Sequence, residues 1–169
     1  DSKGKSEFAL CRIFKSCSFD DFPSELKKYV CDNVQKKRFH DIKYLTLLGT
    51  FGDKNDWRSI TKSKSHRVIP LSDHQSFQQR PLMSALFGQI GFNIPQPQDS
   101  GALEISKIED QNFGYFLVKE AEGNPLILDQ GGFVIPFGIK SIFGFGGMFS
   151  TGNIFTAMMF SDRKSTRLN

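Results

Sequence analysis

Apolar residues fall along this chain in short runs, separated by polar stretches rich in Gly, Pro, Ser and Asp. Glu7–Phe14 (EFALCRIF), Lys43–Thr50 (KYLTLLGT) and Phe113–Lys119 (FGYFLVK) carry β-branched and aromatic residues, which predicts strands. Arg67–Leu71 reads as a short extended segment ended by Pro70. Two segments change period. Behind the turn-rich link Ser18–Pro23, Leu26, Tyr29, Val30 and Val34 recur at helical spacing, with Lys27, Lys28 and Asp32 left to face solvent. Pro81 opens a second helix, in which Leu82, Met83, Leu86, Phe87 and Ile90 form one apolar stripe and Gly91 stands at the C-terminal stop. Gly52–Ser65, Asn93–Gly101 and Gly123–Gly132 read as loops, the last with a short run, Pro125–Leu128.

The longest apolar stretch, Phe133–Phe160, contains one charged residue, Lys140. Hydropathy alone would make it a candidate membrane span. Pro136, Gly138, Gly144, Gly146, Gly147 and Gly152 argue against a helix, since Pro costs roughly 3 kcal/mol and Gly about 1 relative to Ala in a helix interior. Ser150-Thr151-Gly152-Asn153 has turn chemistry, with β-branched and aromatic residues on either side. The stretch therefore predicts an antiparallel hairpin of Ile139–Met148 and Asn153–Phe160. The second strand has few polar residues, which predicts a central strand covered on both sides.

Strands outnumber helices and the last two strands are consecutive. This order predicts an α+β fold, a mostly antiparallel β-sheet with flanking helices. A chain of 169 residues fits one domain with a sizeable core, to which 18 Phe contribute heavily. We take 1–161 as that domain. The final DRKSTRLN fits nothing before it, and 162–169 read as a non-native, adaptor- or vector-derived tail. The N-terminal DSKGKSEF lacks the apolar core of a signal peptide, and the chain, which does not begin with Met, reads as a fragment.

The net charge of +4 conceals an asymmetry: residues 1–80 hold 16 Lys/Arg against 10 Asp/Glu, and residues 81–169 hold 6 against 8. No block of like charges accompanies it, so the bias reads as solvated surface and argues against nucleic acid as a partner. Cys11, Cys17 and Cys31 form no CxxC, and His40, His66 and His74 supply no zinc motif. Reduced thiols suit a cytoplasmic location.

No HExxH, GxSxG or P-loop is present, so the chain reads as non-catalytic, with no cofactor identifiable. Gly144-Phe145-Gly146-Gly147 lacks the spacing of a phosphate loop, and its glycines predict close packing over a sheet. The most site-like segment is Asp53–Arg67, where Trp57 precedes Arg58, Lys62, Lys64, His66 and Arg67. An aromatic beside cations could hold a planar or anionic ligand, which makes Trp57, His66 and Arg67 candidate ligand-binding residues. An alternative is an anion- or nucleic-acid-binding module using Arg58–Arg67. The plainer reading has Trp57 covering a sheet edge and the lysines in water.

Segments spanning nearly the whole chain resemble a GAF-type sensory domain of the kind found N-terminal to PAS and kinase modules in bacterial sensor histidine kinases. They are EFALCRIFKS with SELKKYVCDNV, YLTLLGTFGD with Trp57 and SHRVIPL, PLMSALFGQIGF, and the long C-terminal segment. In that last segment Glu120-Ala121, Gly123-Asn124-Pro125, Pro136-Phe137-Gly138-Ile139, Gly144-Phe145-Gly146-Gly147 and Phe160-Ser161 fall in the family's order. Gly131-Gly132 departs from it, standing where polar or acidic residues are expected. The resemblance implies a GAF-like central antiparallel sheet and a sensory role in two-component signal transduction. It also implies downstream PAS/kinase domains of the same protein as partners, a homodimer, and a small-molecule ligand of unknown identity. No bilin-attaching Cys context is present. The family continues with a C-terminal helix, whose loss would expose apolar sheet surface.

Overall fold

The computed structural model describes residues 7–33, 40, 42–63, 66–71, 80–91, 104–107 (strand pairing alone) and 113–163. Seven antiparallel strands form one sheet: β1 (Leu10–Ser18), β2 (Lys43–Gly52), β3 (Val68–Pro70), β4 (Glu104–Lys107), β5 (Phe113–Val118), β6 (Ser141–Met148) and β7 (Ile154–Ser161). Their spatial order is β3-β2-β1-β7-β6-β5-β4. Among the described residues two α-helices, α1 (Ser24–Asn33) and α2 (Pro81–Gln89), accompany the sheet in an α+β architecture. Among the described residues, no helix is long and apolar enough to cross a membrane.

The predicted hairpin is present as β6 and β7, paired from Ser141↔Ser161 to Met148↔Ile154 around a turn in which Gly152 adopts φ +73. β7 lies at the centre of the sheet, bonded to β1 as well as β6. Its two faces differ from the expected double cover. Ile154, Thr156 and Met158 are buried on one face, whereas Phe155 and Met159 on the other are half-buried.

Other boundaries shift for local reasons. The first strand runs to Ser18 rather than Phe14, because its C-terminal half pairs with Lys43–Leu47 of β2. The link after it is a 3-10 turn, Phe19–Asp21, with Asp21 accepting from the Ser18 backbone N–H at 3.3 Å. β4 was not anticipated, and it pairs with β5 at the sheet edge. Phe133 lies not in an extended run but in a π-helical turn, Gln130–Val134. Helix α2 buries every residue from Leu82 to Phe87, wider than the single stripe its spacing predicts. Gly91 ends it with φ +86, as expected of a C-terminal glycine. Val34, Lys64, His74, the loop at 93–101 and the tail from 164 lie outside the described residues.

Pairing register sorts the side chains onto two faces. On the inner face, Arg12, Met158, Gly144 and Phe116 form one cross-strand row, flanked by Leu10, Phe160, Ile142 and Val118. Helix α2 packs on this face through β5 and β6. The glycine cluster makes that fit possible. A Cβ on Gly144 would collide with the Phe116 ring, and one on Gly146 would lie 3.1 Å from Leu86. The outer face carries the row Ile13, Ala157, Phe145 and Tyr115. Near one corner of the sheet, a smaller cluster joins Phe19, Phe22 and Val30 of α1 to Tyr44.

Candidate functional site

A cavity of about 240 Å³ opens on the inner side, bounded by β1, β7, the start of α2 and the loop at 126–129. Most of its lining is apolar, including Leu10, Phe14, Leu126, Ile127, Met158 and Phe160. Four polar side chains also reach it: Arg12, His66, Arg80 and Asp129.

Each arrives by a different route. Arg12 follows from strand alternation, which places it between Leu10 and Phe14 on the inner face of β1. Its Nη2 donates to Ser63 Oγ at 3.2 Å, while its Nε is buried with no hydrogen-bond partner. Arg80 sits at the N-cap of α2, and Pro81 at the first helical position brings the helix start to the cavity. Asp129 is held by its own turn, where Oδ1 accepts from Gly132 N at 2.9 Å. A Cβ on Gly132 would fall 2.5 Å from that Oδ1, so the departure at Gly131-Gly132 accommodates the turn.

The adjoining wall is organised by Gln130. Its Nε2 donates toward the carbonyls of Ala121 and Ile127, each at 3.0 Å, and of Asn124 at 3.3 Å. Its Oε1 accepts from Gly123 N at 3.0 Å. One amide thus gathers the loop, giving the Ile127 carbonyl and the Gly123 N–H a partner, and it fixes Leu126 and Ile127 against the cavity.

His66 is the one described non-glycine residue with positive φ, at +62. That conformation costs of order 1 kcal/mol or more for a residue with a Cβ and persists where surrounding structure enforces it. The residue is solvent-accessible yet recessed, with water reaching it beside the surrounding protein. Burial, followed by the charges of Arg80 and Arg12, lowers its pKa to about 4, against an opposing pull from Asp129. The imidazole is therefore neutral at pH 7. Burial also lowers the pKa of both arginines.

Scans of protein-family models, curated proteins and solved structures find no match to this chain. The site is therefore read from its own geometry.

The three sequence candidates separate. His66 lines the cavity; Trp57 and Arg67 do not. Trp57 packs edge-on against Phe137 at 4.7 Å and Phe133 at 5.8 Å, between ring centroids. It therefore buttresses the aromatic side of the cavity through Phe133, which is itself a lining residue. Arg67 ties the segment before β3 to α1, donating to Glu25 Oε1 at 2.9 Å with its guanidinium 4.9 Å from the Tyr29 ring centre. Arg58 is exposed and donates through Nε to the Gly52 carbonyl at 2.8 Å, and Lys62 is exposed. Among the described residues, no group of His, Cys, Asp and Glu is arranged to hold a metal ion. Burial raises the pKa of the Cys11 and Cys17 thiols, which favours their protonated forms.

Arg12, Arg80 and Asp129 were missed from sequence. A signal for Arg12 was present: period-two alternation in LCRIF puts a cation on the same face as two apolar residues. Nothing local links Arg80 or Asp129 to that face.

Proposed function

We propose that this chain is a non-catalytic, GAF-like sensory domain of a bacterial signal-transduction histidine kinase, acting in the cytoplasm and holding a small molecule in the inner-face cavity. The observation that carries the reading is the cavity itself: apolar walls with a few convergent polar groups and a strained histidine, the usual make-up of a small-molecule site. The antiparallel sheet with helices agrees with the fold that the resemblance implies. Ligand binding would favour one packing of α2 and the loop at 126–129, and the downstream PAS/kinase domains of a homodimer would respond to that shift. The alternative of anion or nucleic-acid binding through Arg58–Arg67 draws less support, because Arg58 and Arg67 are engaged by partners within the chain.

A thermal-shift screen of small organic compounds tests the reading. Ligands should raise Tm in the native chain and lose that effect in Leu126→Trp, which fills the cavity. Ligand stabilisation that survives Leu126→Trp would place binding elsewhere. Phosphotransfer from ATP by this chain alone would overturn the non-catalytic assignment. A PAS or histidine-kinase module downstream in the same reading frame would support the proposed setting, and an unrelated module would oppose it.

A further inference from the structure

On the outer face, neighbouring strands β5, β6 and β7 hold Phe113, Tyr115, Phe143, Phe145 and Phe155, and Phe149 joins them from the hairpin turn. The rings form a continuous cluster. Centroids lie 6.0 Å apart for Phe113 and Phe145, 6.5 Å for Phe145 and Phe155, and 5.2 Å for Phe155 and Phe149. None of the six is buried, and Phe113, Phe149 and the nearby Ile13 are 37%, 46% and 50% exposed. With Met159 these side chains leave roughly 500 Å² of apolar surface open, taking aromatic side chains at about 200 Å² each. That is near the upper end of what a monomer leaves exposed. It also matches the apolar share, about 65%, of the roughly 800 Å² that each partner brings to a standard dimer interface.

The chemistry of the patch narrows its occupant. β5, β6 and β7 carry no Asp, Glu, Lys or Arg. On adjoining β1, Lys15 is the cation at the patch, 5.9 Å from the Phe149 ring centre. Nucleic acid and anionic membranes are held by several cations, so this face suits neither. Its relief suits a copy of itself. Ala157 lies between Ile13 and Phe145, and Gly147 between Phe155 and Phe113. Large and small residues thus alternate along both rows, and an identical face turned about a two-fold axis offers a ridge to each gap.

We propose that the outer face over β5, β6 and β7 is the contact surface for a second copy of this chain, the two sheets packing face to face with Ile13, Phe113, Phe145 and Phe155 at the centre. It gives the homodimer of the sensory reading an interface and does not depend on the inner-face cavity. Phe51 stays at the rim, where the Arg58 guanidinium lies 5.5 Å from its ring centre.

Sedimentation equilibrium of the chain from about 1 to 200 µM tests it. The native chain should be dimeric at the upper end. Ile13→Glu and Phe113→Glu, which would bury a carboxylate in the interface, should each weaken the dimer about a hundredfold or more. Ile135→Glu, at an exposed apolar site off these strands, should leave it within about twofold. Mixed labelled and unlabelled native chains provide a readout that needs no variant to fold: intermolecular NOEs should join the Ile13 and Ala157 methyls to the Phe145 or Phe155 rings. A monomer at every concentration, a dimer weakened equally by Ile135→Glu, or intermolecular NOEs from α2 instead would overturn the proposal. A monomer that binds oligothymidine or phosphatidylglycerol vesicles through Ile13 and Phe113 would overturn the second copy as occupant. None of these outcomes bears on the ligand test through Leu126→Trp.

Discussion

Both faces of the sheet carry rows of large apolar side chains, but they meet different surroundings. On the inner face, Phe116, Ile142 and Val118 are fully buried beneath α2, and a cavity opens beside Arg12. On the outer face, Ile13 and Phe51 remain 50% and 56% exposed, and among the described residues helix cover is confined to the α1 corner. Apolar content alone therefore does not distinguish core from surface here. The close fit of ring to glycine on one side, and its absence on the other, assigns stability to the inner face. The same contrast separates recognition from support, since the cavity beside Arg12 and His66 lies on the inner face while Trp57 only braces it.

The contrast is sharpest in the cost of truncation. Phe116→Ala should destabilise the fold by about 3–5 kcal/mol, through lost burial and a cavity over Gly144. Gly144→Ala should cost roughly 1–3 kcal/mol by overpacking against the same ring. Phe51→Ser on the outer face should change stability by no more than about 0.5 kcal/mol. Urea unfolding of the three variants checks the order, and a Phe51→Ser cost comparable to that of Phe116→Ala would break the comparison.

A separate effect is expected on pH dependence. The folded-state pKa of His66, about 4, lies below its unfolded value near 6.5, so the folded state disfavours the proton. Its contribution to stability is fully present above pH 6.5. It declines as pH falls toward 4 and levels off below that. Replacing His66 with Gln should flatten the stability profile between those limits while altering little at pH 8. An unchanged slope would show that the recess does not act on this imidazole.

Much of the sheet was legible because its strands announce themselves through β-branched and aromatic runs, and because Gly152 and Gly91 mark chain reversals that need positive φ. The Gly144–Gly147 cluster was legible as packing for the same reason, since a phosphate loop needs a spacing it lacks. Short edge strand β4 was not, because four residues set no clear period and its pairing with β5 is what makes it a strand. The site was half-legible. His66 stood out by residue type, but Arg80 and Asp129 are far from Arg12 in sequence and meet it only through the folding of α2 and the Gln130-anchored loop. Arg67 looked equivalent to His66 beside it, yet its side chain goes to Glu25 and Tyr29.

The most direct measurement is the titration of His66 by imidazole NMR. Burial in the recess, followed by the charges of Arg80 and Arg12, should give His66 a pKa near 4. A value near 6.5 would contradict it.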